Sequence, residues 1–139
     1  MDKTEIFEFL NKNPVVYLAT CENGSPHVRG MLMYRCDDEG IIFHTGKTKD
    51  LHKQLEHNPL IELCSFSQAE NKQVRVSGKM EEVKDESLKK RIVEDRPFMK
   101  PWIEKYGLNV LTVWKVTKAV ACVWMMETNF SSKEYIKLY

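Results

Sequence analysis

Little in this chain pulls it toward a membrane, a nucleic acid or a metal. No apolar run approaches the length of a membrane span, and the start, Met1-Asp-Lys-Thr-Glu, lacks a signal peptide's basic and apolar regions. The expected location is therefore the cytoplasm. Charge of either sign is not in excess. Twenty-one Lys and Arg oppose 20 Asp and Glu, a formal net charge of +1, so there is no global attraction to nucleic acid. Cysteine is sparse and scattered: Cys21, Cys36, Cys64 and Cys122 form no C-x-x-C pair. The four histidines offer no close ligand spacing either, and no metal site is expected. Cys64 and Cys122, inside apolar runs, read as small core residues.

What remains is an ordinary globular composition over 139 residues, enough for one domain spanning 1–139. Asp2 and Glu5 form a capping-box pattern ahead of a helix ending near Asn13, with Ile6, Phe9 and Leu10 on one face. Strands are expected at 15–20, 27–35, 41–45, 60–66 and 73–84. Asn23-Gly24 marks a hairpin, and Gly78 a bulge or bend. Helices are expected at 48–57 and 85–94, with a broken one over 98–106. Two further strands, 109–116 and 119–127, are read as a hairpin joined by a tight turn, followed by a polar, aromatic tail. Six or seven short strands joined mostly by hairpins predict a mainly β protein, an antiparallel split β-barrel with peripheral helices.

The densest chemistry lies at Ile41-Ile-Phe-His-Thr-Gly-Lys-Thr-Lys-Asp-Leu51, where a strand runs into a helix. Thr48 reads as the helix cap. The free amides of the first turn, with Lys47 and Lys49, favour a phosphate. Gly46-Lys47-Thr48 imitates the end of a P-loop, but the required first glycine falls on Ile41, so nucleoside triphosphate hydrolysis is excluded. On the second strand Arg29 adds a cation, and Gly30 beside it permits close approach of a flat ligand.

The ordered set Leu18-Ala-Thr, Gly24-Ser-Pro, Val28-Arg-Gly-Met, Ile42-Phe-His-Thr-Gly, Thr48-Lys-Asp, Gln54-Leu, Asn58-Pro and Val74-Arg-Val-Ser-Gly resembles the pyridoxamine 5′-phosphate oxidase-like, FMN-binding split-barrel superfamily. In particular it looks like the short members of nitroimidazole-resistance and general-stress type. The resemblance implies a homodimer with FMN at the interface. By position, Arg29 and Lys49 would bind the FMN phosphate, with Thr45 and Thr48 adding hydroxyl or backbone contacts. Gly30 and Met31 would line the flavin, and Gln73 would reach its edge. Lys47 is extra to the pattern, and Trp124 would approach from the partner chain or pack in the fold. The implied activity is electron transfer from a reduced donor through FMN to a small planar acceptor, with no catalytic side chain named. The alternatives are a non-catalytic flavin binder or sensor, or a relative using haem or deazaflavin. No Arg follows residue 96, so a second cationic clamp for pyridoxine or pyridoxamine 5′-phosphate is expected to be missing, and the chain is expected not to be a true pyridoxamine 5′-phosphate oxidase.

Overall fold

The computed structural model describes residues 1–139. Helix α1 (Lys3–Lys12) begins at the capping box: Asp2 accepts from the Glu5 amide, and Glu5 accepts from the Asp2 amide. Strands β1 (Val15–Glu22) and β2 (Ser25–Leu32) form the expected hairpin. Asn23 (φ 50°) and Gly24 (φ 79°) both occupy the left-handed region that a two-residue turn between twisted strands requires. Then follow β3 (Arg35–Asp37), β4 (Gly40–Gly46), α2 (Asp50–His57), β5 (Leu60–Ser67) and β6 (Lys72–Val83). The chain closes with α3 (Glu86–Asp95), α4 (Lys100–Tyr106), β7 (Leu111–Met125) and β8 (Tyr135–Lys137).

All pairings are antiparallel, in the order β2-β1-β5-β6-β7-β4-β3, with β8 added to β7. Two consecutive amides bring the ends of this sheet together. Met33 N–H donates to the Pro14 carbonyl beside β1, and Tyr34 N–H donates to the Ile42 carbonyl of β4. The sheet therefore curls into a split barrel. Its interior holds 21 buried residues, with Ile6, Phe9 and Leu10 of α1 among them. A second cluster of seven lies outside the barrel, where Leu88, Ile92 and Val93 of α3 cover Ile42, Leu111 and Val113. β4 is thus buried on both faces, which explains its unbroken Ile41-Ile-Phe run.

The expected hairpin over 109–127 is not formed. β7 is one strand of 15 residues. Lys118 (φ 49°) is a bulge rather than a turn, placed where the β6–β7 register shifts around Gly78. A Cβ on Gly78 would lie 2.7 Å from Val116 Cγ1 and 3.0 Å from the Thr117 carbonyl, so the two strands meet here without a side chain between them. Beyond the bulge β7 exchanges β4 for β8 as its second neighbour.

Two smaller expectations also change. Helix α2 starts at Asp50, with Lys49 rather than Thr48 in the cap position and no side-chain cap. The Lys49 amide donates to the Gly46 carbonyl, so residues 46–49 form a turn before the helix begins. Cys64 and Cys122 are half-buried on the outside of the barrel, and the buried cysteine is Cys36. The tail docks through β8, burying Leu138 and stacking Tyr139 on Phe7 at 5.7 Å. No helix is long and apolar enough to cross a membrane.

Candidate functional site

A cavity of about 930 Å³ opens between β2, the β4–α2 junction and the α3–α4 segment. Six of the eight residues singled out in the sequence line it: Arg29, Gly30, Met31, Thr45, Thr48 and Lys49. Lys47 does not. It faces a separate polar recess of about 440 Å³, beside the buried His52. Gln73 also lies elsewhere, at the start of β6 between Phe66 and Trp124 on the outer face of the sheet.

Arg29 is held by three neutral acceptors. Its Nη1 donates to the Leu18 carbonyl (3.2 Å) and to Thr20 Oγ1 (2.9 Å), and its Nη2 donates to Gln54 Oε1. The Thr20 hydroxyl in turn donates to Gln54 Oε1 at 2.6 Å. Thr20 and Gln54 are both buried, and this network is what satisfies them. A guanidinium has five N–H groups. With three engaged, Nε–H and one Nη2–H remain. They form a fork of the kind that takes a phosphate or carboxylate bidentately. Burial lowers the Arg29 pKa, an effect partly offset by Asp50, so a charge sits partly desolvated with no carboxylate bonded to it. Lys49 lines the same cavity. Its stem folds over Gly46, where an added Cβ would lie 3.4 Å from Lys49 Cγ. The Lys47 amide is tied to the Val110 carbonyl at 2.8 Å, which fixes the loop under both groups.

Arg96 is the residue that sequence reasoning missed. It lines the same cavity and supplies the second guanidinium expected to be missing. Its Nη1 donates to the Leu32 carbonyl (3.0 Å) and to His44 Nε2 (2.6 Å), and its Nη2 to the Met33 carbonyl (2.7 Å). The two carbonyls belong to the crossing that closes the barrel. Arg96 follows α3 directly before Pro97, and only the packing of α3 against β4 brings it here. His44 accepts from Arg96 through Nε2, so its ring proton resides on Nδ1. Burial, with help from the Arg96 and Lys49 charges, pushes its pKa down to about 4, and the ring is neutral at pH 7. No group of three or more His, Cys, Asp or Glu side chains is arranged to hold a metal ion.

The 98–106 segment of the lining is apolar and aromatic and includes Phe98, Trp102 and Tyr106. A flat ligand with a phosphate fits these surroundings. Arg29 offers an unused bidentate fork, and the next residue of its strand is Gly30, whose Cβ position has no atom within 4 Å. The volume falls within the roughly 300–1,000 Å³ of small-molecule and cofactor pockets.

Comparison with known proteins agrees with this geometry. The family described as pyridoxamine 5′-phosphate oxidase matches residues 2–119. Among curated relatives, a pyridoxine/pyridoxamine 5′-phosphate oxidase of Ehrlichia ruminantium is 32% identical over 84 residues, which is 59% of this chain and 43% of that protein. One from Pseudomonas putida is 37% identical over 67 residues, 48% and 31% of the two lengths. The chain spans less than half the length of the curated relatives it matches. Among solved structures, a NimC/NimA-family protein of Clostridium acetobutylicum superposes with a TM-score of 0.78 at 22% identity, over 98% of this chain and 92% of that one. A protein from the same organism related to general stress protein 26 gives 0.74 at 16% identity, over 99% and 97%. These likenesses establish the split-barrel fold.

Proposed function

Because the chain belongs to the pyridoxamine 5′-phosphate oxidase family, which matches residues 2–119, we propose that it binds FMN and acts as a small oxidoreductase, passing electrons from a reduced donor to a small planar acceptor. The observation that carries the reading is the unused Nε/Nη2 fork of Arg29, which lines the same cavity of cofactor size as Lys49. In this reading the fork and Lys49 hold the phosphate, and Thr45 and Thr48 add hydroxyl or backbone contacts. The backbone at Gly30 and Met31 lies along the ring. FMN, when bound, supplies reversible acceptance of electrons. The protein's part is to bind and orient it. His44 keeps its proton on Nδ1, available as a neutral donor, while Nε2 is taken by Arg96.

A homodimer belongs to the same reading. On β1 the residues Val16, Leu18 and Thr20 are buried, whereas Val15 and Tyr17 face outward and are exposed, as are Leu60 and Phe66 on β5. Gln73 and Trp124 share this outer face, away from their own chain's cavity. They reach a flavin only if a second copy covers the face and brings its own cavity to them.

Haem suits the donor set poorly: His44 is the one histidine lining the cavity, and its Nε2 is occupied. A second reading, oxidation of pyridoxine or pyridoxamine 5′-phosphate, is favoured by Arg96, whose Nε–H and one Nη2–H are also free. Titration of the purified protein with FMN, followed by flavin absorbance, tests the first reading. Absence of binding at micromolar FMN, with folding confirmed, refutes it. Turnover of a reduced nicotinamide with an acceptor separates an enzyme from a sensor. Formation of pyridoxal 5′-phosphate tests the second reading.

A further inference from the structure

We infer that the stripe Phe98–Trp102–Tyr106 is the acceptor subsite, a docking face for a flat aromatic ring. This deepens the FMN reading of the same cavity and rests on it. The three residues are spaced i, i+4, i+8 through a short 3₁₀ turn (Pro97–Met99) and α4, so they share one side of the segment. Each keeps more than half its surface free, at 57%, 58% and 60%, although large aromatics ordinarily bury most of theirs. Met99 is buried, and Ile103 packs against the second apolar cluster with it.

All three rings line the same cavity as Arg29, Lys49 and Arg96. None of them stacks on another aromatic ring of the chain. Phe98 and Trp102 carry no ring or cation on their π faces, whereas Lys105 Nζ lies 5.1 Å from the Tyr106 ring centroid, and all three rings line a concave space. That space has room to spare. FMN has about 30 non-hydrogen atoms, which at close packing fill roughly 500 Å³, against a cavity of about 930 Å³. An aromatic ligand is preferred over a saturated one because offset and edge-to-face contacts add to the apolar area buried. That preference is roughly two- to tenfold per ring pair.

The test uses the FMN-loaded protein without an electron donor, so that binding is read without turnover. Calorimetric titration compares 4-nitrobenzoate with cyclohexanecarboxylate, which carries the same charge on a puckered, saturated ring. The planar ligand is expected to bind at least tenfold more tightly. Trp102→Leu should weaken 4-nitrobenzoate about tenfold while leaving cyclohexanecarboxylate and FMN within twofold, and Trp102→Phe should retain most of the affinity. Failure of 4-nitrobenzoate to bind, or equal losses for the two carboxylates, overturns the assignment. A parallel loss of FMN gives the stripe to the cofactor instead, and a changed oligomeric mass in Trp102→Leu makes it an interface between copies. Either result also overturns it. If the protein binds no FMN at all, the cofactor reading fails separately, and the same pair of titrations on the FMN-free protein still decides whether the stripe takes the ring.

Discussion

Replacing Arg29 by Ala tests the phosphate assignment most directly. In the folded protein this guanidinium gives three N–H groups to Leu18, Thr20 and Gln54, and keeps two free. Those two would make charge-assisted bonds to a phosphate oxygen pair, each contributing about 1.5–3 kcal/mol. The bonds share one side chain and one partner, so a single such term, not their sum, is the safer expectation. A loss of about 1.5–3 kcal/mol corresponds to roughly 10- to 150-fold weaker FMN binding. Riboflavin, which lacks the phosphate, should lose less than about threefold. Arg29→Lys should recover only part of the loss, because an ammonium cannot span Thr20, Gln54 and a phosphate at once. Fluorescence titration of wild type and variants with both ligands measures the two ratios. Equal losses for FMN and riboflavin would refute the reasoning, since the residue would then act on the ring or only on the fold. Thermal melts of the unliganded variants separate that last case.

Lys49→Ala should follow the same pattern with a smaller loss, within the same pair of titrations. Gly78→Ala should cost about 1–3 kcal/mol, because its Cβ would meet Val116 Cγ1 at 2.7 Å and neighbouring backbone at 3.0 Å; chemical denaturation measures it, and a neutral result would mean that β7 shifts freely at its bulge. His44 gives a pH signature. Its pKa falls from 6.5 to about 4 on folding, so the unfolded chain binds more protons between those values, and stability is lost as the pH drops from 6.5 toward 4. Down to pH 4.5 the loss amounts to roughly 2–3 kcal/mol, seen as the difference between wild type and His44→Gln in urea unfolding at pH 7 and 4.5. Light scattering should give a dimer mass for the FMN-loaded protein. Tyr17→Glu, on the exposed outer face, should shift it toward monomer.

Much of the fold was legible because local signals and burial agreed. The Asp2/Glu5 capping box, the Asn23-Gly24 turn and the Gly78 bulge each rest on a residue whose backbone chemistry acts within a few positions. β7 was misread for the opposite reason. Thr117-Lys118 has the polarity of a turn, and only the register imposed by β6 on one side and by β4, then β8, on the other makes it a bulge. The cation pair Arg29 and Lys49 could be found from strand alternation and the strand–helix junction. Arg96 and the buried Thr20–Gln54 pair could not, because their partners lie 25 or more residues away for most contacts and are selected by how α3 and α2 pack. Lys47, already extra to the family pattern, and Lys49 line different cavities on either side of the turn at 46–49.

Helix α4 contains no buried residue and stops at Gly107, which holds a φ of 84°. A wall so lightly anchored has its own, low free energy of local opening, well below that of the barrel. Its amides should be among the first to exchange with deuterium, while those of β6 and β7 persist to global unfolding. Ligand traffic then need not wait for the barrel to breathe. A solute could enter by brief melting of seven residues, and a bound ring would slow exchange there and nowhere else, so a local exchange map would record occupancy without any chemistry taking place.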